Sequence, residues 1–473
     1  MEKPLVSIII VNFNGKDLLK DCLKAVFKSS YPKKNFEVIL VDNDSHDESV
    51  KFVHHYFPSV QVIENLDNQG FAGGSNSGFK HAKGDYIVLL NSDVRVDTNW
   101  LQELVLAARQ KSVGIVCSKL YFDIPFIELK ITSGIEILPD VQKGIDGFSP
   151  LGILIEDIVC DSKQKSNLVW YMNGFYRKNE GKISSRWTNG NANVLLPFAQ
   201  NVENYSISIH GIPETIHKET PIKVYLNDIL LLKDVIRPKQ VKPLNIRISK
   251  SQASANFHWL IQNAGNVIFA NGLSRDRGSV IRRDESETKE FYDFDSEYYN
   301  VPKKLLAACG ASCLIKREVI DKVGLFDDAY FMYYEDIDLS LRTWRANWDI
   351  LYAPKSIAYH KHRVTTNKQD SIFMIRMLEK NRLYLLLTHF PLHIFAYEFI
   401  FFLSRLLFTL AMTKLFQFTA YYSEYQFMLS EKAKGRKQAF IEFRKNFKRL
   451  LWSRFYQNKM MVRNINELVK YLY

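Results

Sequence analysis

Behind a run of aromatic residues in "FMYYEDIDLSLR" stand two carboxylates, Glu335 and Asp336, placed to take a proton from a hydroxyl. A carboxylate against an aromatic wall is partly desolvated, which raises its pKa and suits it to general-base work. A helix start whose acids answer the helix dipole is the competing reading, and the preceding aromatics weigh against it. A second polar group, Asn91-Ser92-Asp93, ends the apolar run "DYIVLLNSD". There Asp93 can hold a hard divalent ion, Mg or Mn, against a diphosphate. A third, Asp42-Asn43-Asp44-Ser45, closes "FEVILVDNDS", where carboxylate and amide can pair with a base edge or ribose hydroxyls. The stretch from Asn68 to Gly78 carries Gly70, Phe71, Gly73, Gly74 and Asn76, and its glycines permit close backbone approach to a phosphate or sugar. It is neither a P-loop nor a dinucleotide fingerprint. His360 and His362 follow an apolar strand at alternating positions, so one at most enters the site, and His360 is the candidate.

These groups need a scaffold that delivers them to one edge. Three apolar runs, Val6 to Asn14, Phe36 to Ser45 and Asp85 to Asp93, read as strands, and helical stripes fall between them: Leu18, Leu19, Cys22, Leu23, Val26 and Phe27, then Val50, Val53 and Phe57. The order is βαβαβ, a doubly wound nucleotide-binding unit whose ligands collect outside the carboxyl ends of the strands. Asn12 and Asn14 then join the same edge. From about residue 124 the helical periods give way to two-residue alternation, as in Tyr205, Ile207, Ile209 and Ile222, Val224, Leu226, and the Asn227-Asp228 pair marks a hairpin. Residues 124–258 are expected to form an inserted antiparallel β-sandwich, bracketed by an α/β domain over 1–123 and 259–370. Gly310, within "ACGASCLIKRE", lets a strand or turn pack close to a substrate.

At 473 residues two or three domains are expected. The net charge of +12 is uneven: residues 371–473 hold 17 Lys+Arg against 6 Asp+Glu, so the rest is close to neutral. Bulky apolar residues interrupted by Arg376, Arg382, Glu398, Arg405 and Lys414 precede the basic tail. No stretch of spanning length is free of charge, so amphipathic helices lying on an anionic membrane surface are expected here rather than a simple span. The alternatives are a homodimer interface and, less consistent with the interleaved apolar residues, a nucleic-acid partner. Five cysteines without a CxxC pair read as reduced thiols, and the apolar run near the start is too short and β-branched for a secretion signal, so a cytoplasmic enzyme at the inner face of the plasma membrane is expected.

Together, "VSIIIVNFN", "VDNDSHDES", "NQGFAGGSNSG", "LLNSDV", "ACGASCLIKRE", "FMYYEDIDLSLR" and "APKSIAYHKH" resemble glycosyltransferase family 2, inverting enzymes of the GT-A fold, and in particular its rhamnosyltransferase-like members in bacterial surface polysaccharide synthesis. The resemblance covers roughly residues 4–123 and 259–366. It implies that Asp42 contacts the nucleotide, Asp93 is the metal-binding end of a DXD-type motif, Asp336 beside Glu335 is the catalytic base, and His360 lies near the diphosphate or metal. Asn91 stands where that motif has its first acid, and no QxxRW follows the base, which implies single-sugar transfer. The implied donor is a nucleoside diphosphate sugar, with dTDP-rhamnose suggested, and the implied acceptor is a glycan or lipid-linked glycan. The expectation from a different class is a glycan-binding scaffold that keeps a degenerate transferase fold.

Overall fold

The computed structural model describes residues 3–139, 148–151, 154–156, 159–160, 170–173, 175, 179–180, 184–198, 204–209, 219–237, 244–283, 288–361, 371–416 and 423–473. His362 lies outside these residues. The chain forms two compact units, Met1–Asp123 with Gln262–Arg277 and Ser296–Tyr473, and Ile124–Ile261 with Gly278–Asp295. The sequence reading set residues 371–473 apart and ended the insert at 258. The structure groups the C-terminal helices with the α/β unit and gives a second segment to the insert.

In the α/β unit, strands Val6–Asn12 (β1), Phe36–Asp42 (β2), Gln61–Glu64 (β3) and Tyr86–Asn91 (β4) run parallel in the order β3-β2-β1-β4. The runs of Val, Ile and Leu in β1, β2 and β4 are buried on both faces, as a parallel sheet covered by helices requires, while β3 at the edge is half-exposed. Helix Lys16–Phe27 (α1) buries Leu19, Cys22, Leu23 and Val26, and Ser49–Tyr56 (α2) and Gly70–His81 (α3) complete the first crossovers. Beyond β4 the short strand Val94–Val96 (β5) leads to helix Trp100–Ala108 (α4) and strand Val113–Phe122 (β6).

Strand Ser312–Lys316 then enters antiparallel between β4 and β6, and strand Asp349–His360 pairs parallel with β6. Entering antiparallel, the start of Ser312–Lys316 lies beside the carboxyl end of β4, with Ser312 opposite Leu90. A buried polar knot ties these strands together: Trp100 Nε1 donates to Ser118 Oγ at 3.0 Å and Ser312 Oγ at 2.9 Å, and Ser356 Oγ lies 3.0 Å from Ser118 Oγ.

The glycine-rich stretch is a helix rather than a phosphate loop. A Cβ on Gly74 would stand 2.7 Å from Val11 Cγ1, and one on Gly78 2.4 Å from Ile9 Cγ2. The glycines lay α3 directly on the sheet, and that close packing offsets their helix penalty of roughly 1 kcal/mol each.

Among the described residues the second unit, by itself, holds several antiparallel sheets, and the six-stranded one shares an apolar core with a three-stranded one. Phe126–Ser133 pairs with Asn191–Pro197 and Thr220–Leu226, while Leu244–Ser249 pairs with Asn204–Ile209. Ile127, Leu129, Val194, Ile222, Val224, Ile246 and Ile248 share the core. Asn227 and Asp228, with φ of 43° and 70°, make the hairpin turn between Thr220–Leu226 and Ile229–Ile236.

Three C-terminal helices follow: Ser371–His389, Leu392–Phe416 and Ser423–Met460. The first is not amphipathic: every residue from Asn381 to His389 is buried, the signature of a core helix.

Candidate functional site

Parallel register brings the ends of β1 and β2 together, with Asn12 opposite Asp42. Asn12 Nδ2 donates to Asp42 Oδ1 at 2.9 Å and Ser45 Oγ at 3.1 Å, and Asp42 Oδ2 accepts from the Ser45 N–H at 2.8 Å. Asn14, at φ 51°, accepts through Oδ1 from the His46 N–H, and its own N–H donates to Ser45 Oγ at 2.8 Å. Asn12 Oδ1 is buried without a hydrogen-bond partner, against Gly15 and near Ser92, so it remains an acceptor at this edge. Asp44 is about half exposed beside His46.

Asn43 turns the other way. It donates to Gly70 O at 2.8 Å and accepts from Asn65 Nδ2 at 2.8 Å, while Asn68 Oδ1 accepts from the Gly70 N–H at 2.9 Å. These amides shape the start of α3. Gly70, at φ 69°, is obligatory there, since a Cβ would meet Phe331 O at 2.3 Å. The Ala72 N–H of the first turn donates to that carbonyl at 3.0 Å. Several residues assigned to the ligand from sequence therefore serve the scaffold. Gly73 and Gly74 are packing positions, as is Asn76, which exchanges bonds with the Phe326 backbone, donating to its O at 2.9 Å and accepting from its N–H at 3.1 Å.

At the next strand end Asn91 donates its backbone N–H to Ala311 O at 3.0 Å. Asp93 is buried, and its Oδ1 lies 3.2 Å from His360 Nε2, while His360 Nδ1 lies 3.1 Å from Gln262 Oε1. Burial alone would lower the imidazole pKa, but the carboxylates around it, Asp93 first and then Asp276 and Asp123, together turn the net shift upward. Among the described residues no group of three or more His, Cys, Asp or Glu converges as a metal site. Two protein ligands suffice for a diphosphate-bound ion, however, and neighbouring ligands of an octahedral ion at about 2.1 Å stand roughly 3 Å apart. The Asp93 and His360 pair fits that requirement.

Asp336 belongs to helix Glu335–Arg345. Its Oδ2 accepts from the Gly310 N–H at 2.9 Å and from Asn266 Nδ2 at 3.4 Å. A Cβ on Gly310 would stand 3.3 Å from Phe71 and 3.4 Å from Asp336 Cβ, so a glycine keeps the carboxylate accessible and brings Phe71 beside it. Burial raises the pKa of Asp336, and burial followed by the neighbouring Asp336 raises that of Glu335 well above the usual range. Glu335 Oε2 is buried with no hydrogen-bond partner.

The loop before this helix is strained: Phe331, Tyr333 and Tyr334 sit at φ 65°, 66° and 71°. Bulky residues at positive φ are costly and persist where surrounding structure imposes them. Here one amide does so. Asn381 Nδ2, from helix Ser371–His389, donates to the carbonyls of Tyr330, Met332 and Tyr333 at 3.0, 2.8 and 2.7 Å. Three facing carbonyls leave no choice about which end of the amide points at them. Sequence reading missed Asn381, Gln262 and Asn266, because nothing local marks an amide in an apolar helix or at an insert's border.

A parallel sheet wound with helices, broadened by an antiparallel strand and carrying its acids on one edge, is the GT-A arrangement of nucleotide-sugar folds. Residues 7–135 match the family model Glycosyl transferase family 2, and residues 258–429 match Glycosyl transferase family group 2. The chain belongs to glycosyltransferase family 2. Among curated relatives, the poly(ribitol-phosphate) beta-glucosyltransferase of Bacillus spizizenii is 32% identical over 24% of this chain and 19% of its own length. Glycosyltransferase AglE of Haloferax volcanii is 27% identical over 26% of this chain and 41% of its own. Glycosyltransferase GlyG of Streptococcus pneumoniae is 29% identical over 25% and 39%. The chain thus spans well under half the length of each of these three relatives.

Proposed function

We propose that this chain is an inverting glycosyltransferase that moves one sugar from a nucleoside diphosphate sugar to a hydroxyl of a glycan or lipid-linked acceptor, in bacterial surface polysaccharide synthesis. The carrying observation is the Asp336 carboxylate, its pKa raised, held from helix Glu335–Arg345 by the N–H of Gly310, two residues ahead of the strand that starts beside the carboxyl end of β4. In this reading Asp42 and Asn12 receive the nucleoside. Asp93 and His360 hold a divalent ion, Mg or Mn, which supplies charge neutralisation of the departing diphosphate. Asp336 accepts the acceptor's hydroxyl proton as the oxygen forms its bond to the anomeric carbon. The bond from that carbon to the diphosphate oxygen breaks on the opposite face, so configuration inverts.

Titration calorimetry against UDP-, dTDP- and GDP-sugars, with and without Mn or Mg, tests the donor site, with dTDP-rhamnose the first choice on resemblance alone. One nucleotide class is expected to bind in a metal-dependent way, and Asp93→Ala to weaken it by about 10-fold or more. If a folded sample binds none of them, the glycan-binding scaffold reading replaces this one.

We further propose that the C-terminal helices hold the enzyme on the cytoplasmic face of an anionic membrane. Of the charges that argued from sequence against membrane burial, Glu398 pairs with Arg382 at 2.9 Å and Arg405 with Glu379 at 2.9 Å, while Lys414 is exposed near the end of the helix. The outer face of Leu392–Phe416 is then largely apolar up to Lys414, with Tyr397, Ile400, Leu407, Phe408 and Leu415 exposed. Leu392–Leu415 is long and apolar enough to cross a membrane, and 22% of its most apolar window is buried. Exposed Trp452, Phe455 and Tyr456 on the basic helix Ser423–Met460 suit a headgroup layer. Flotation with vesicles containing phosphatidylglycerol should carry the protein upward, less so at high salt, and Ile400→Lys with Leu407→Lys should abolish it. A dimer in solution that ignores vesicles would assign the same face to a second copy instead.

A further inference from the structure

The loop that leads into the base is built against the preference of its backbone. Phe331, at φ 65° and ψ −63°, centres a γ-turn closed by the Met332 N–H on Tyr330 O at 2.8 Å, the rare and strained form of that turn. Tyr333 and Tyr334 follow at φ 66° and 71°, and Glu335 then opens the helix that carries Asp336. Such a conformation in bulky residues is imposed by its surroundings and concentrates at functional sites.

The carbonyls show what imposes it. Lys380 Nζ donates to Ala329 O at 2.7 Å, and Asn381 Nδ2 donates to the carbonyls of Tyr330, Met332 and Tyr333. Phe331 O instead accepts from the Ala72 N–H in the first turn of α3, and Tyr334 O accepts from the Asp338 N–H one turn into its own helix. Each carbonyl from Ala329 to Tyr334 is thereby engaged, four of the six by two adjacent side chains of helix Ser371–His389. Both side chains are buried. Asn381 Oδ1 is buried without a hydrogen-bond partner, so this amide serves through its donors alone. Turned over, it would set its oxygen against three carbonyls.

We propose that Asn381, with Lys380 beside it, is a positioning residue for the base. By holding these carbonyls it fixes where helix Glu335–Arg345 starts, and so keeps Asp336 against the Gly310 N–H. The consequence for turnover rests on the transferase reading; the hold on the loop does not.

Asn381→Asp tests this in the full-length chain, because it keeps the size and shape of the side chain and exchanges its donors for a carboxylate that only accepts. The first readout is backbone hydrogen exchange followed by mass spectrometry. Peptides covering residues 329–338 should exchange about 10-fold faster than in wild type or more, while those covering β1, β2 and β4 keep their rates. The second readout is turnover with the nucleotide sugar that wild type binds. There kcat should fall by about 10²-fold, the cost of a misplaced reacting group, while the nucleotide Kd stays within about threefold because Asp42 and Asp93 are untouched.

Unchanged exchange over residues 329–338 overturns the proposal. So does faster exchange that spreads through the sheet, which would make Asn381 a residue of general stability, and so does an unchanged kcat. If wild type binds no nucleotide sugar, the transferase reading falls while the exchange pattern still decides the hold on the loop. Should Asn381→Asp not fold, Lys380→Met releases the Ala329 carbonyl of the same loop and is read the same way.

Discussion

Asp336→Asn is expected to lower kcat by about 10²- to 10⁴-fold, the usual worth of a general base, while the nucleotide Kd stays within about twofold of wild type. The amide can still accept from the Gly310 N–H, so geometry is kept and only the proton acceptor is lost. With the raised pKa of Asp336, the acid limb of kcat/KM in wild type should lie above the ordinary aspartate value of about 3.9. The same shift predicts the sign of a stability change. A carboxyl whose folded pKa is raised stabilises the fold below its unfolded pKa, and that contribution is lost as pH rises through the folded value. At neutral pH the ionised Asp336 is therefore a burden on the fold, and Asp336→Asn should resist urea at least as well as wild type. Parallel kinetics and urea melts check both halves. Loss of activity accompanied by loss of stability would mean that Asp336 is a structural acid, and the base would have to be sought elsewhere.

Arg342→Met is expected to destabilise the protein by about 3–5 kcal/mol, the cost of leaving a buried charge without its partner. Asp338, on the same helix as Asp336, accepts from Arg342 Nε at 2.9 Å and Nη2 at 2.7 Å, and from His389 Nε2 at 2.8 Å. Arg342 also donates to the carbonyls of Val323, Gly324 and Leu325, so its removal strips donors from the turn that precedes the strained loop at Phe331–Tyr334. Burial would raise the Asp338 pKa, but Arg342 and His389 hold it far below the normal range. A depressed carboxyl stabilises the fold above its unfolded pKa, so this contribution is complete above about 3.9 and declines as pH falls further. His389 is also lowered, mainly by burial, and its contribution declines as pH falls below about 6.5. Wild-type stability should therefore fall in two stages on acidification, and urea melts from pH 7 to 3 should show the second stage reduced in Arg342→Met.

Much of the site could be read directly because its residues are tied to strand ends. Asp42, Asp93 and His360 each close or directly follow an apolar run, and a strand delivers its last residue to the sheet edge whatever the rest of the chain does. The βαβ order and the two-residue alternation of the insert are likewise local patterns. The glycine-rich stretch was not read as a helix for a related reason: four glycines in nine residues argue locally against one, and only tertiary contacts explain them, the sheet beneath Gly74 and Gly78 and the Phe331 carbonyl against Gly70. In the same way Asn76 read from sequence as a ligand contact, whereas its amide exchanges hydrogen bonds with the backbone of Phe326, 250 positions away.

The sequence by itself determined the family and the fold class, and it placed the acids that close the strands, since these depend on residue type and short-range period. Only the tertiary structure decided that Asn381 restrains the strained loop, that the glycines of α3 lie against the sheet, and that Glu398 and Arg405 find ion-pair partners on helix Ser371–His389. The physical reason is the same in each case. A hydrogen bond or ion pair between distant segments is specified by the packing of the whole unit, and an amide or a charge has no meaning along the chain until its partner is brought to it.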